Sequence, residues 1–248
     1  MKLSEILSYV ENIAKKQGIA KPFIVGGVPR DKVLGRESGF NDVDMTTGDG
    51  NAANLAKEVS LKFPFMSFEL KGDGHASLTW DDIKLDFSSN FIIPGVKEII
   101  ENAGVKNIRP MHEELYSRDF TCNTLLMTLD LKKILDLSDQ AIEDINQRKI
   151  KTCLTPDITI GKDPKRIVRA IYLASKLQFE LDDKLRDWIL NNPTYLFEKV
   201  NVDYISKKII KSYAFDPERT VELLRELDLW DRLPASPGLM EIMQRHIL

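Results

Sequence analysis

Two aspartates, Asp42 and Asp44, flank a valine in the run Asn-Asp-Val-Asp-Met-Thr-Thr (41–47), and a glycine pair, Gly26-Gly27, follows Phe-Ile-Val just upstream. Along a strand, positions i and i+2 project from one face, so both carboxylates can meet a single cation. Hard oxygen ligands at this density suit Mg²⁺, which takes a few carboxylates and completes its shell with substrate phosphate oxygens. A strand–Gly-Gly–helix junction lets backbone N–H groups approach an anion with no Cβ in the way, and the helix dipole adds favourable potential. Taken singly, Gly-Gly is often only a tight turn and Asp-x-Asp a solvated strand edge. Together they are equipment for holding a triphosphate beside a divalent metal.

Other polar residues join this set. Asp86 is a candidate third carboxylate, as metal ligand or general base, with an exposed, non-catalytic acid as the alternative. Arg118, Asp119 and Asn123 stand beside an apolar run ending at Met127, where polar groups satisfy each other or a ligand. His75, after Gly72-Asp73-Gly74, reads as a loop residue rather than a base.

The elements that must position these groups can be read from periodicity. Leu3, Ile6, Leu7, Val10, Ile13 and Ala14 share one face of a helix over 3–17, with Gly18 as its stop. Pro22–Val25 is a short buried strand; after the glycines, Pro29 marks the first helical position of a segment running to Leu34 and stopped by Gly35. A helix over 51–61 precedes strands at Pro64–Leu70, His75–Trp80 and Ile83–Ser88, the last two joined by an Asp81-Asp82 hairpin turn. Pro94–Ala103 is a short helix or linker, Glu113–Arg118 a helical turn, and Ile134–Leu137 a last short strand.

From about residue 140 the strand pattern gives way to amphipathic helices. The first begins at Lys162, with Asp163 as its cap and Pro164 in its first turn, and runs to about Leu177; others cover 183–191, 203–212 and 217–228. This half is basic at Arg148, Lys149, Lys151, Lys165, Arg166, Arg169, Lys207, Lys208 and Lys211, most of which read as solvated helix faces.

With 248 residues the chain can bury a real core, and 43% hydrophobic with 29% charged residues is ordinary for a soluble globular protein. A net charge of −3 argues against a protein that coats nucleic acid throughout but leaves room for a local basic track. Two cysteines, Cys122 and Cys153, make no disulfide framework; with no export signal and no long apolar run, the expected setting is reduced, cytoplasmic and without a membrane. A structural zinc site is not expected.

Several motifs now stand in fixed order: Gly26-Gly27-Val-Pro-Arg30-Asp31, Leu34-Gly35, Asp42-Val-Asp44 with Thr46, Arg118-Asp119-Phe-Thr-Cys-Asn123, and Asp163-Pro-Lys-Arg166-Ile-Val-Arg169-Ala. Over roughly residues 20–230 the chain resembles the class II tRNA nucleotidyltransferases (CCA-adding enzymes) and bacterial poly(A) polymerases of the polymerase-β superfamily. The resemblance implies an α+β fold: a nucleotidyltransferase head with a small mixed β-sheet over 1–138, followed by an all-helical neck and shortened body over 139–248 for base selection and RNA binding. It implies Asp42 and Asp44 as Mg²⁺ ligands and, with Asp86, as the catalytic carboxylates. It implies Gly26, Gly27 and Arg30 at the triphosphate, and Arg118, Asp119 and Asn123 at the ribose and phosphates. Asp163 and Arg166, with Arg169 a turn further on, match the segment that reads the incoming base.

That last role agrees with elementary chemistry. Cytosine and adenine each offer an amino donor beside a ring-nitrogen acceptor, which one carboxylate and one guanidinium complement; uracil and guanine reverse the order. The implied activity is template-independent transfer of CMP and AMP from CTP and ATP to an RNA 3′ end with release of pyrophosphate, foremost CCA addition or repair on tRNA. Alternatives are poly(A) or A-only addition, an inactive RNA- or nucleotide-binding module, or a relative modifying another acceptor. The chain departs from the family pattern at Ser117, where an arginine is usual, at Lys162, where a glutamate is usual, and in a slightly long link between Gly35 and Asp42. Against the family pattern the long helical tail that grips tRNA is also lacking, so the expectation is a compact version, reliance on a homodimer, or action on other RNA ends.

Overall fold

The computed structural model describes residues 2–36, 41–72, 74–89 and 93–246. Residues 37–40 of the long link and Asp73 of the glycine-flanked loop lie outside the described residues. The chain divides into two compact units, the first through Ile145 and the second from Asn146.

In the first unit, α1 (Leu3–Lys16) leads into β1 (Phe23–Val25), α2 (Gly27–Val33), β2 (Asp42–Thr46) and α3 (Ala52–Lys62). β3 (Ser67–Leu70), β4 (Ala76–Trp80) and β5 (Ile83–Phe87) follow, then α4 (Val96–Asn102), α5 (Pro110–Tyr116), a 3₁₀ turn at Thr121–Asn123, β6 (Leu126–Met127), β7 (Ile134–Leu135) and α6 (Ala141–Asn146). The strands form one mixed sheet in the order β3-β4-β5-β2-β1-β6-β7, in which, among the described residues, only the β2–β5 pair is parallel. The expected head with a mixed sheet is therefore present, with seven strands. Pro29 is the third residue of α2 rather than its first, because Gly27 already adopts helical geometry.

Alternation along the strands separates core from site. Ile24, Val43, Met45, Leu78, Leu85 and Phe87 face one side, where α1 and α3 cover them with Ile6, Leu7, Val10, Leu55, Ala56 and Val59. The opposite side carries, in register across the sheet, Leu126, Val25, Asp44, Asp86 and Ser77. Leu115 and Met111 of α5 pack over the Val25–Leu126 end of that row. The polar end of this face, on β2, β5 and β4, thus carries the candidate carboxylates Asp44 and Asp86.

The second unit is helical apart from a two-residue parallel pair, β8 (Lys149–Ile150) with β9 (Glu180–Leu181). Its helices are α7 (Pro156–Lys162), α8 (Arg166–Leu177), α9 (Asp183–Asn191), α10 (Tyr195–Lys199), α11 (Val202–Phe215), α12 (Pro217–Glu226) and α13 (Pro237–Arg245). The expected helix over 162–177 starts later, at Arg166, because Lys162 is the last residue of a separate helix, α7. Asp163 between them is extended (φ −143°), and its side chain accepts from the Lys165 backbone N–H at 3.2 Å ahead of α8, as expected of a cap. Pro164 explains the break, since a proline disfavours helical geometry in the residue before it.

Candidate active site

The pairing of β2 with β5 sets Asp44 level with Asp86 and Asp42 level with Lys84. Asp42 is exposed and Asp44 half-buried. Burial raises the Asp44 pKa above its ordinary value; the Arg118 guanidinium opposes this, while Asp42 and Asp86 add to it. A buried carboxylate crowded by two others is a site that a cation would relieve.

Asp86 behaves differently. Burial would raise its pKa, but hydrogen bonds from Lys84, Ser77 and Lys71 outweigh that and hold it below the ordinary carboxylate value. Lys71 Nζ lies 2.9 Å from Oδ1, which Ser77 Oγ also meets, while Lys84 Nζ meets Oδ2. Both oxygens therefore already have donors. Sequence reading passed over Lys71, Ser77 and Lys84, although Lys84 stands two positions before Asp86 on the same strand face.

Gly26 sits directly beside Asp44. Its φ is +79°, and a Cβ there would fall 3.0 Å from Asp44 Oδ2, so only glycine fits without displacing the carboxylate. Gly27 begins α2, where a Cβ would lie 3.4 Å from an Arg30 Nη2. α2 is only 7 residues long, so its dipole contributes less than expected. Arg30 is buried: its Nε and Nη2 lie 2.9 and 2.8 Å from Asp31 Oδ1, and its Nη1 donates to Asn123 Oδ1 at 2.7 Å. Asn123 Nδ2 donates to Asp119 Oδ1 at 3.1 Å, and the Phe120 backbone N–H donates to the same oxygen at 2.8 Å. One buried chain of polar groups thus ties the Gly-Gly turn to the 3₁₀ turn, which meets the requirement that such groups be satisfied.

Arg118 is held by a residue the sequence reading did not single out. Glu114, four positions earlier on α5, is fully buried, and its Oε1 accepts from Arg118 Nε and Nη2 at 3.1 and 2.6 Å. Burial alone would lower the Arg118 pKa; Glu114 first, then Asp44 and Asp119, reverse this and keep it charged. The i, i+4 spacing on a short helix was the available signal. α5 meets the turn after β2 at Gly48, where a Cβ would fall 2.5 Å from Met111 Cε. Ser117 is fully buried.

Asp163 and Arg166 are neighbours in the second unit. Asp163 Oδ1 accepts from the Lys165 backbone N–H at 3.2 Å, and its Oδ2 lies 4.0 Å from Arg166 Nε. Arg166 is buried and donates from Nη1 to the Thr159 carbonyl at 3.2 Å; Arg169 is half-buried one turn on. The candidate residues up to Asn123 thus lie in one unit, and Asp163, Arg166 and Arg169 in the other.

Poly A polymerase head domain is the family whose model matches residues 22–151, and the chain belongs to that family. It is 34% identical over 172 residues to the A-adding tRNA nucleotidyltransferase of Aquifex aeolicus, covering 65% of this chain and 19% of that protein. It is 28% identical over 222 residues to the CCA-adding enzyme of Listeria innocua, covering 87% of this chain and 53% of that protein. A solved tRNA nucleotidyltransferase, complexed with a primer tRNA and an incoming ATP analogue, superposes with TM-score 0.69 at 25% identity, covering 90% of this chain and 62% of that one. The chain therefore spans about a fifth of the A-adding relative and about half of the CCA-adding one. The resemblance to class II tRNA nucleotidyltransferases and bacterial poly(A) polymerases holds.

No described helix is long and apolar enough to cross a membrane. Both cysteines are free and buried.

Proposed function

We propose that this chain is a cytoplasmic, Mg²⁺-dependent nucleotidyltransferase that adds C and A to the 3′ end of tRNA. The observation that carries this reading is the placement of Asp42 and Asp44 on one sheet face, with the Gly26 backbone against Asp44 and the Arg118 guanidinium in its field. No three His, Cys, Asp or Glu side chains among the described residues form a complete metal cage. Two carboxylates finished by substrate phosphates are what Mg²⁺ ordinarily takes. Asp42 and Asp44 would hold it, and when bound it supplies activation of the attacking hydroxyl and neutralisation of developing charge.

The chain's own residues do the rest. Gly26 and Gly27 leave room for a triphosphate, Arg118 offers it positive charge, and the Arg30–Asn123–Asp119 chain fixes the turn on which the ribose and phosphates rest. The RNA 3′-hydroxyl attacks the α-phosphorus in line and pyrophosphate leaves. Asp86 keeps Lys71 and Lys84 at the edge of this site. Asp163 as acceptor, and Arg166 as donor, select cytosine and adenine, with Arg169 alongside. In this reading residues 1–138 activate the nucleotide, and 139–248 choose the base and bind RNA.

The test uses purified protein, Mg²⁺, each labelled NTP singly and in pairs, and tRNAs ending before CCA, after C and after CC. Ordered C, C, A addition is expected, and Asp42→Ala with Asp44→Ala should abolish it. The similarity to an A-adding enzyme favours a second reading, A-only addition, which would appear as transfer of AMP solely to tRNA ending in CC. Absence of transfer from every nucleotide would refute both.

A further inference from the structure

Helices α8 and α11 pack along one another and carry a charge opposite to that of the whole chain. Arg166, Arg169, Lys176, Lys207, Lys208 and Lys211 stand on them against the single acid Asp203, in a chain of net charge −3. On α11, Tyr204, Lys208, Lys211 and Phe215 recur at i, i+4, i+7 and i+11, a single stripe.

The lysines on this surface are not splayed at random. Lys165 Nζ lies 5.3 Å from the Tyr204 ring centroid, and Lys208 Nζ lies 5.2 Å from Tyr172 and 5.9 Å from Tyr204. Lys211 Nζ lies 5.3 Å from Tyr172, and Lys176 Nζ lies 5.6 Å from Phe215. Tyr172 meets Phe215 edge to face at 5.7 Å. Ring and ammonium thus alternate in a ladder. An aromatic face attracts a cation and limits the rotamers of a long side chain, so less freedom is lost when that cation meets an anion. A row of pre-positioned ammonium groups roughly one helical turn apart suits a polyanion with regularly repeated charge.

The ladder begins at Lys165, between Asp163 and Arg166 in sequence. We propose that it is a binding surface for the phosphate backbone of an RNA strand, adjoining the pair that reads the incoming base. This rests on the proposed function for its choice of RNA, and it gives a role to Lys208 and Lys211, which the sequence reads as part of a solvated face.

The test is equilibrium binding of the full chain, in EDTA so that no transfer occurs, to a 5′-labelled tRNA ending before CCA, from 50 to 200 mM salt. For Lys208→Gln/Lys211→Gln, affinity should fall about tenfold. The slope of log K against log salt should flatten by roughly 1.4–1.8, two phosphate contacts at about 0.7–0.9 each. ATP binding and the melting curve should match wild type, and a control, Lys57→Gln/Lys62→Gln on α3, should change neither affinity nor slope. Tyr172→Leu/Tyr204→Leu should weaken RNA about threefold with the slope unchanged, because the ammonium groups remain but lose their seats. Wild-type affinity and slope in the double lysine variant would overturn the proposal. So would a wild-type protein that uses these lysines for phosphatidylserine vesicles but not for RNA. The binding assay needs no turnover, so a chain inactive in transfer still tests the ladder, and an active one indifferent to the lysines refutes the ladder alone.

Discussion

Removing the Glu114 carboxylate should be costly far beyond a single surface contact. Its side chain is 0% exposed, and the Arg118 it holds is 10% exposed. Glu114→Ala would leave a guanidinium buried with less compensation, an uncoupling that costs about 3–5 kcal/mol in comparable buried pairs. Asp44 and Asp119 still act on Arg118, so the lower end of that range, about 3 kcal/mol, is expected. At roughly 2–4 °C per kcal/mol for a chain of this size, Tm should fall by about 6–12 °C. Thermal and urea melts of the full chain measure this. The companion variant, Glu114→Leu with Arg118→Met, should recover most of the lost stability, since replacing both charges with apolar groups removes the uncompensated ion. It should not recover nucleotide transfer. A loss below about 1 kcal/mol in Glu114→Ala would match an exposed ion pair and refute the argument that Glu114 fixes Arg118.

The proposed metal site gives a prediction of opposite sign. The Asp44 pKa is raised in the folded state, so its ionised form opposes folding, and its contribution falls as pH rises above the ordinary carboxylate value. Metal-free Asp44→Asn should therefore melt higher than wild type at neutral pH, with the difference shrinking in acid; an equal or lower Tm would refute the assignment. Mg²⁺ at tenfold over its Kd should stabilise wild type by about 1.4 kcal/mol and leave the variant unmoved, readable as a thermal shift. Gly26→Ala should lose transfer and about 1–3 kcal/mol of stability, since its backbone is one that side chains rarely adopt and the new Cβ meets Asp44. Burial pushes the Cys122 thiol up to about 12, so iodoacetamide at pH 8 should label it only as fast as the protein opens, followed by mass spectrometry.

Local pattern alone placed the two aspartates of the candidate site. Asp42-Val-Asp44-Met45 alternates with period two, which by itself puts both carboxylates on one face and both apolar residues on the other. The same logic located α1, β4, β5 and the turn at Asp81-Asp82. It missed β6, a strand of two residues, α10, a helix of five, and also α7 and α13. The helix expected to begin at Lys162 begins at Arg166, since Lys162 closes α7 and the backbone restriction before Pro164 separates the two helices.

What only the tertiary structure decided is pairing. The amino-acid sequence places Asp86 on a strand, but the parallel register of β2 with β5 sets it level with Asp44, and its approach to Lys71 and Ser77 depends on how β4 lines up beside β5. Glu114 and Arg118 could be read as an ordinary helix pair; burial against the sheet turns them into a buried ion pair acting on Asp44. The lysines of α11 look like a solvated face until α8 supplies Tyr172 beneath them. In each case the neighbours come from distant parts of the chain, and no local periodicity encodes which strand or helix will lie alongside.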